Sequence, residues 1–198
     1  MGFLSVLSFA HKLVAERLGS TAGSQAIAVD ATAGTGADTL MLAQAAGASG
    51  LVYSFDIQQQ ALDRTQKRLD RYEHPDRLAR TELILGSHDR MANHIPAELH
   101  GRLQAVMFNL GYLPAGDTSV ITRPESTLPA LTTSLELLAV KGILTIVLYP
   151  GHPGGSEEAE AVQEWASSLP TATAQCIIYR QLQRSDAPYL IAIEKKQA

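Results

Sequence analysis

Apolar residues change their spacing several times along this chain, and each change marks an element. From Phe3 to Leu18 they recur at Leu4, Leu7, Ala10, Leu13, Val14 and Leu18 before Gly19, a period that predicts an amphipathic N-terminal helix. The short run Ala28-Val29 ends on Asp30, and after Gly34 and Gly36 a helical pattern opens at Leu40, Met41, Leu42 and Ala43; this predicts strand, tight loop and helix. Further strands are expected over 51–56, 81–85, 103–109 and 143–149, with helices over Gln59–Tyr72 and from Ser156 to Leu169. Between the fourth and fifth strands, Asp117 to Thr127 forms a long polar loop containing Arg123, and Pro129 falls in the first turn of a helix that starts at Thr127 or Leu128 and stops at Gly142. The last two strands, 175–179 and 189–194, are joined so closely that they must be antiparallel neighbours. The alternation predicts an α/β fold with a doubly wound, Rossmann-like sheet and helices on both faces.

Chemistry concentrates at the carboxyl ends of these strands. Gly34 and Gly36 permit positive φ and a close approach of backbone to a ligand, and N–H groups at the helix start point at whatever lies there; an ordinary strand-to-helix turn is the alternative. The dinucleotide fingerprint asks for a third glycine where this chain has Thr39, which disfavours a nicotinamide oxidoreductase. Asp56 ends the second strand 20 residues after Gly36, the interval at which such folds place a carboxylate against ribose hydroxyls; its alternative role is a helix cap. Ile57 and Gln58 follow it, and Ser87 and His88 follow the third strand, at positions suited to a nucleobase or to plain loops. Asn109 leaves an amide at the end of the fourth strand, ahead of Leu110-Gly111-Tyr112-Leu113-Pro114. A polar group there asks for a partner, in a ligand or in the turn itself. His11 is either a satisfied structural histidine or part of the site wall.

The glycine loop after Asp30 resembles the first motif of class I S-adenosylmethionine-dependent methyltransferases, and the Asn109 loop is similar to the Asn-Pro-Pro-Tyr loop of amine-directed members, with Leu110-Gly111 in place of the prolines. Taken together, the stretches 28–39, 53–58, 86–88, 107–117 and 148–158 resemble the bacterial YtqB/MnmM family from about His11 to Lys195. That resemblance implies a seven-stranded sheet with an antiparallel last strand, S-adenosylmethionine as cofactor, and tRNA as substrate. The implied reaction is methylation of the exocyclic amine of 5-aminomethyl-2-thiouridine at the wobble position. It also implies that Asp30, Gly34, Thr35, Gly36, Ala37, Asp38, Thr39, Asp56, Ile57, Gln58, Ser87, His88 and Asn109 form the cofactor site. Asn109 and the Leu110 carbonyl would hold the amine, Tyr112 would stack on the base beside Gly111, and Arg123, His152, Arg180 and Arg184 would meet the rest of the substrate. Relatives often carry Asn where this chain has Thr35 and Ala37. Methyl transfer from a sulfonium needs alignment rather than a strong acid or base, so none is assigned.

Composition adjusts this picture in two places. A length of 198 residues fits one domain, 1–198, with residues 1–19 packed on it as a helix. The net charge of −4 gives no global attraction to RNA, so RNA binding needs a local basic patch. The charge keeps open an N-methyltransferase acting on a small amine or a protein, beside rRNA as another acceptor and a cofactor-binding protein without turnover. A lone Cys176 excludes an internal disulfide and suits the cytoplasm, and no Cys/His spacing suggests a metal. No leader or membrane-spanning run is expected in the sequence, and a homodimer is left open.

Overall fold

The computed structural model describes residues 2–20, 25–111 and 121–197. Its elements run α1 Val6–Gly19, β1 Ile27–Asp30, α2 Ala37–Ala46, β2 Leu51–Asp56, α3 Gln59–Asp70, β3 Arg80–Leu85, α4 Met91–His94, β4 Leu103–Asn109, α5 Pro124–Leu137, β5 Leu138–Leu148, α6 Gly155–Ser168, β6 Ala174–Tyr179 and β7 Tyr189–Lys195. The strands form one sheet in the order β3-β2-β1-β4-β5-β7-β6, all parallel except β7, which lies antiparallel between β5 and β6. This is the expected doubly wound sheet with its inserted last strand. No described helix is long and apolar enough to cross a membrane.

Strand periodicity sorts the core into two layers, because successive side chains point to opposite faces. Ile27, Val29, Phe55, Val106, Phe108 and Ile146 pack beneath α5 and α6. Ala28, Val52, Ala105, Met107 and Leu190 pack beneath α1 and α2, whose Ala10, Val14, Leu18, Leu42 and Ala43 are buried. The order reverses between β1 and β4, and their carboxyl ends diverge there into a crevice. Ala31 N–H still reaches the Met107 carbonyl at 2.9 Å, so the crevice opens just beyond.

Two helix boundaries differ from expectation. The first helix starts at Val6 because Ser5 caps it, its hydroxyl accepting from the Ser8 N–H at 3.1 Å, and Phe3 is left exposed. The helix expected from Thr127 or Leu128 to the Gly142 stop spans Pro124–Leu137 instead. Pro124 takes the first-turn position that suits proline, leaving Pro129 inside the helix. Gly142 belongs to a bulge in β5: Leu103 pairs with Leu138 but Ala105 with Ile143, and Lys141 takes a φ of 66° to absorb the extra residues. A Cβ on Gly142 would come within 2.8 Å of the Ala139 carbonyl oxygen, so the glycine is required by the bulge rather than by a helix end.

Gly36 caps α2 with φ 77°, and a Cβ there would lie 2.7 Å from the Thr65 Cα. Backbone strain and backbone collision both oppose a side chain. Gly36→Ala is therefore expected to destabilise the fold by about 2 kcal/mol or more, read from a denaturant midpoint at unchanged slope.

Candidate active site

The crevice is a cleft of about 660 Å³, within the roughly 300–1,000 Å³ typical of small-molecule sites. The glycine loop forms its floor, the Asp56 and Ser87 turns one wall, and the Asn109 loop with Tyr149 the other. Asp56 is oriented from both sides: its Oδ2 accepts the Gly34 N–H at 3.0 Å and its Oδ1 accepts the Gln58 N–H at 2.9 Å. These bonds hold the carboxylate at the edge of the glycine loop with lone pairs left for a ligand. Ile57 beside it is 57% exposed, an uncovered apolar surface facing the cleft and suited to a flat ring. His88 is buried with its Nδ1 against the Ala31 carbonyl at 3.3 Å and its ring edge-on to Phe108. Its buried Nε2 has no partner, and burial holds the imidazole below its usual pKa, and so neutral.

The opposite wall is built from long-range bonds. Asn109 N–H donates to the Thr32 hydroxyl at 2.8 Å, fastening β4 to the glycine loop. The Asn109 Oδ1 is buried and unpartnered. Beyond it, Gly111, with φ 138°, donates its N–H to Thr122 Oγ at 2.8 Å and accepts the Thr122 N–H at 2.9 Å. Thr122 Oγ and Thr127 Oγ in turn donate to the buried Glu158 of α6 at 2.6 and 2.7 Å. The acceptor loop is thus tied at both ends, which limits how far Asn109 can drift. Tyr149 stands beside it, its phenol pushed up by burial first and then by the Asp38 carboxylate, against a hydrogen bond with the Asn109 side chain that favours the anion.

Thirteen of the expected site residues share this cleft: Gly34, Thr35, Ala37, Asp38, Asp56, Ile57, Gln58, Ser87, His88, Asn109, Leu110, Gly111 and His152. Asp30, Gly36 and Thr39 sit behind its wall. Asp30 is fully buried, accepting from Thr39 Oγ at 2.5 Å and from the Thr32 N–H at 3.0 Å, so it shapes the loop from below. Arg123 is exposed at the start of α5, and Arg180 and Arg184 lie in the β6–β7 connection. Arg180 covers the Tyr189 ring at 5.3 Å, and Arg184 reaches Asp186, a cleft residue, at 3.5 Å. Tyr112 lies outside the described residues. Thr32, Thr122, Tyr149 and Asp186 were not expected from the sequence. Tyr149 had a legible signal, a hydroxyl at the carboxyl end of a buried strand, whereas Thr122 and Asp186 depend on contacts between distant segments.

Asp30 also makes stability depend on pH. Burial, then the Asp38 charge, raise its carboxyl to about 7, against the Thr39 and Thr32 hydrogen bonds that favour the anion. The folded state therefore holds a proton more tightly than the unfolded chain, and this contribution, full below about pH 4, is lost as pH rises through about 7. Asp30→Asn fixes the neutral form. Its stability is expected to gain on wild type between pH 5 and 8, by up to about 4 kcal/mol, read from thermal melts across that range.

Residues 52–194 match the protein family described as "Putative rRNA methylase". The chain belongs to this family. A member of the same description from Clostridium thermocellum superposes with a TM-score of 0.87 at 35% identity, over 98% of this chain and 100% of that one. A Streptococcus mutans relative, crystallised in complex with SAH, gives 0.83 at 31% identity over 98% and 99%. The Arabidopsis thaliana protein named tRNA (mnm(5)s(2)U34)-methyltransferase, chloroplastic, is 36% identical over 85% of this chain, which spans 63% of that protein's length. Family membership and the sheet order together give this protein the class I, S-adenosylmethionine-dependent methyltransferase fold.

The cleft residues fit that cofactor. The Asp56 carboxylate suits two ribose hydroxyls, Ile57 an adenine face, and the unpartnered His88 Nε2 a polar atom nearby. Among the described residues no group of three His, Cys, Asp or Glu side chains is placed to hold a metal ion.

Proposed function

We propose that this protein is an S-adenosylmethionine-dependent RNA methyltransferase that methylates the exocyclic amine of 5-aminomethyl-2-thiouridine at the tRNA wobble position. The observation that carries the reading is the buried, unpartnered Asn109 Oδ1 in the wall of a cleft that also holds the oriented Asp56 carboxylate. An unpaired buried acceptor costs stability unless a ligand supplies the donor, and an amine is such a donor. The Arabidopsis relative's named substrate supports the choice of amine. A single domain and a reducing, cytoplasmic setting for the exposed Cys176 complete the reading.

Bound S-adenosylmethionine supplies an electrophilic methyl carbon. Asp56, Gln58 and the glycine loop anchor the nucleoside end, while His88 presents a neutral ring nitrogen. Asn109, fixed through Thr32, and the Leu110 carbonyl accept the amine hydrogens, aiming the nitrogen lone pair into the cleft. The rigid tie from Gly111 through Thr122 to Glu158 keeps that aim constant. His152 in the cleft and the exposed Arg123, Arg180 and Arg184 are assigned to the RNA backbone, a local attraction in a chain of net charge −4.

A panel of methyl acceptors tests this. The purified protein with labelled cofactor should methylate tRNA bearing the aminomethyl uridine, and leave ribosomal RNA, bulk protein and small primary amines unlabelled. Label in one of those alone would replace the substrate assigned here.

A further inference from the structure

The Asn109 amide is not alone on its wall. Asp38, in the first turn of α2, lines the same cleft with its side chain only 8% exposed, and His11 of α1 holds its Oδ1 through Nε2 at 2.6 Å. Tyr149 faces both the Asp38 carboxylate and the Asn109 amide. Helix α1 thus reaches across α2 to fix one carboxylate oxygen, leaving the other for a ligand. A carboxylate held beside an orphaned amide oxygen and a phenol, with no Lys or Arg lining the cleft among the described residues, selects a cation that donates several hydrogens. A primary aliphatic ammonium has that chemistry.

Two such groups belong to the proposed reaction: the aminomethyl group of the substrate and the methionyl ammonium of the cofactor. The substrate group has the greater need. A primary aliphatic amine is mainly protonated at neutral pH, as a lysine amine is, and a protonated nitrogen has no lone pair with which to attack. Asn109 and the Leu110 carbonyl accept hydrogens but cannot carry a proton away.

We propose that Asp38, positioned by His11, binds the substrate ammonium and takes its proton before methyl transfer. This rests on the function proposed above. One N–H bond of the ammonium breaks and its electron pair stays on nitrogen as the attacking lone pair. The proton forms an O–H bond on the Asp38 oxygen that His11 leaves free and passes from there to water in the open cleft, restoring the carboxylate, while the His11 Nε2–H goes on donating to Oδ1. Among the described residues, the titratable groups facing this carboxylate are His11 from α1, Asp30 from β1 and Tyr149 beyond β5. Asp38 is then a catalytic residue and His11 a positioning residue.

The test is single-turnover methylation of aminomethyl-uridine tRNA across about pH 6.5 to 9.5, where free amine becomes steadily more abundant, with cofactor affinity measured by calorimetry and folding by thermal melts. Asp38→Asn keeps the side-chain shape and the acceptor for His11. Its rate at neutral pH should fall about a hundred-fold or more, the deficit should shrink as pH rises, and S-adenosylmethionine affinity should stay within roughly threefold of wild type. His11→Ala should reproduce part of the loss and His11→Gln, which retains an N–H donor, should restore it; this pair carries the test if Asp38→Asn melts early. An Asp38→Asn enzyme with a wild-type rate would overturn the proposal. So would one that loses cofactor affinity but keeps its saturated rate, which would give the carboxylate to the methionyl ammonium. A wild-type protein inactive on this tRNA would overturn the proposed function itself, and the role of Asp38 with it.

Discussion

Replacing Asn109 with alanine should slow methyl transfer by roughly ten- to a thousand-fold, about 1.4–4 kcal/mol of lost positioning, while cofactor affinity stays close to wild type. The split follows from where the atoms stand. The backbone N–H of Asn109 ties the loop to Thr32 and survives the substitution, whereas the side-chain Oδ1 has no internal partner to lose. Truncation removes the amide's hydrogen bond to the Tyr149 phenol together with an acceptor that only an incoming amine can fill, and the loss of that acceptor appears in the chemical step. A purely structural asparagine would show the opposite pattern, an early melt and an intact rate per folded molecule. Single-turnover rates set beside thermal melts of both proteins separate the two.

Asp56→Ala should act on cofactor binding instead, weakening S-adenosylmethionine and its demethylated product alike by about 2–4 kcal/mol. The carboxylate has two roles. It would accept hydrogen bonds from the ribose, and it also receives the Gly34 and Gln58 N–H groups that set the glycine loop against the second strand. Alanine removes both, so the loss in affinity includes the cost of reordering the loop on binding. Calorimetric titration checks it, and unchanged affinity would take Asp56 out of the site.

Local pattern carried most of the fold. The strand-loop-helix at Asp30 to Ala43 and the twenty-residue step from Gly36 to Asp56 are short-range signals, and the structure brings Asp56 and Gly34 within 3.0 Å. The closely spaced last pair of strands likewise fixed β7 as antiparallel. Errors fell where two local rules compete: Pro124 and Pro129 both suit a helix start, and Gly142 serves a bulge as well as it would a helix stop. The less legible part of the site rests on partners far apart in sequence. Asn109 and Thr32 are 77 residues apart, Thr122 and Glu158 36, and His11 and Asp38 27. Each side chain taken alone fits a bland role, and only the sheet order, with β1 beside β4, turns them into one wall.

Function turns on a single nitrogen. The most direct measurement is nucleoside mass spectrometry of tRNA isolated from cells lacking this methylation, after one turnover with purified protein and S-adenosylmethionine. The account predicts conversion of 5-aminomethyl-2-thiouridine to its N-methylated form, with every other nucleoside unchanged. A protein that binds the cofactor and leaves that nucleoside untouched would contradict it.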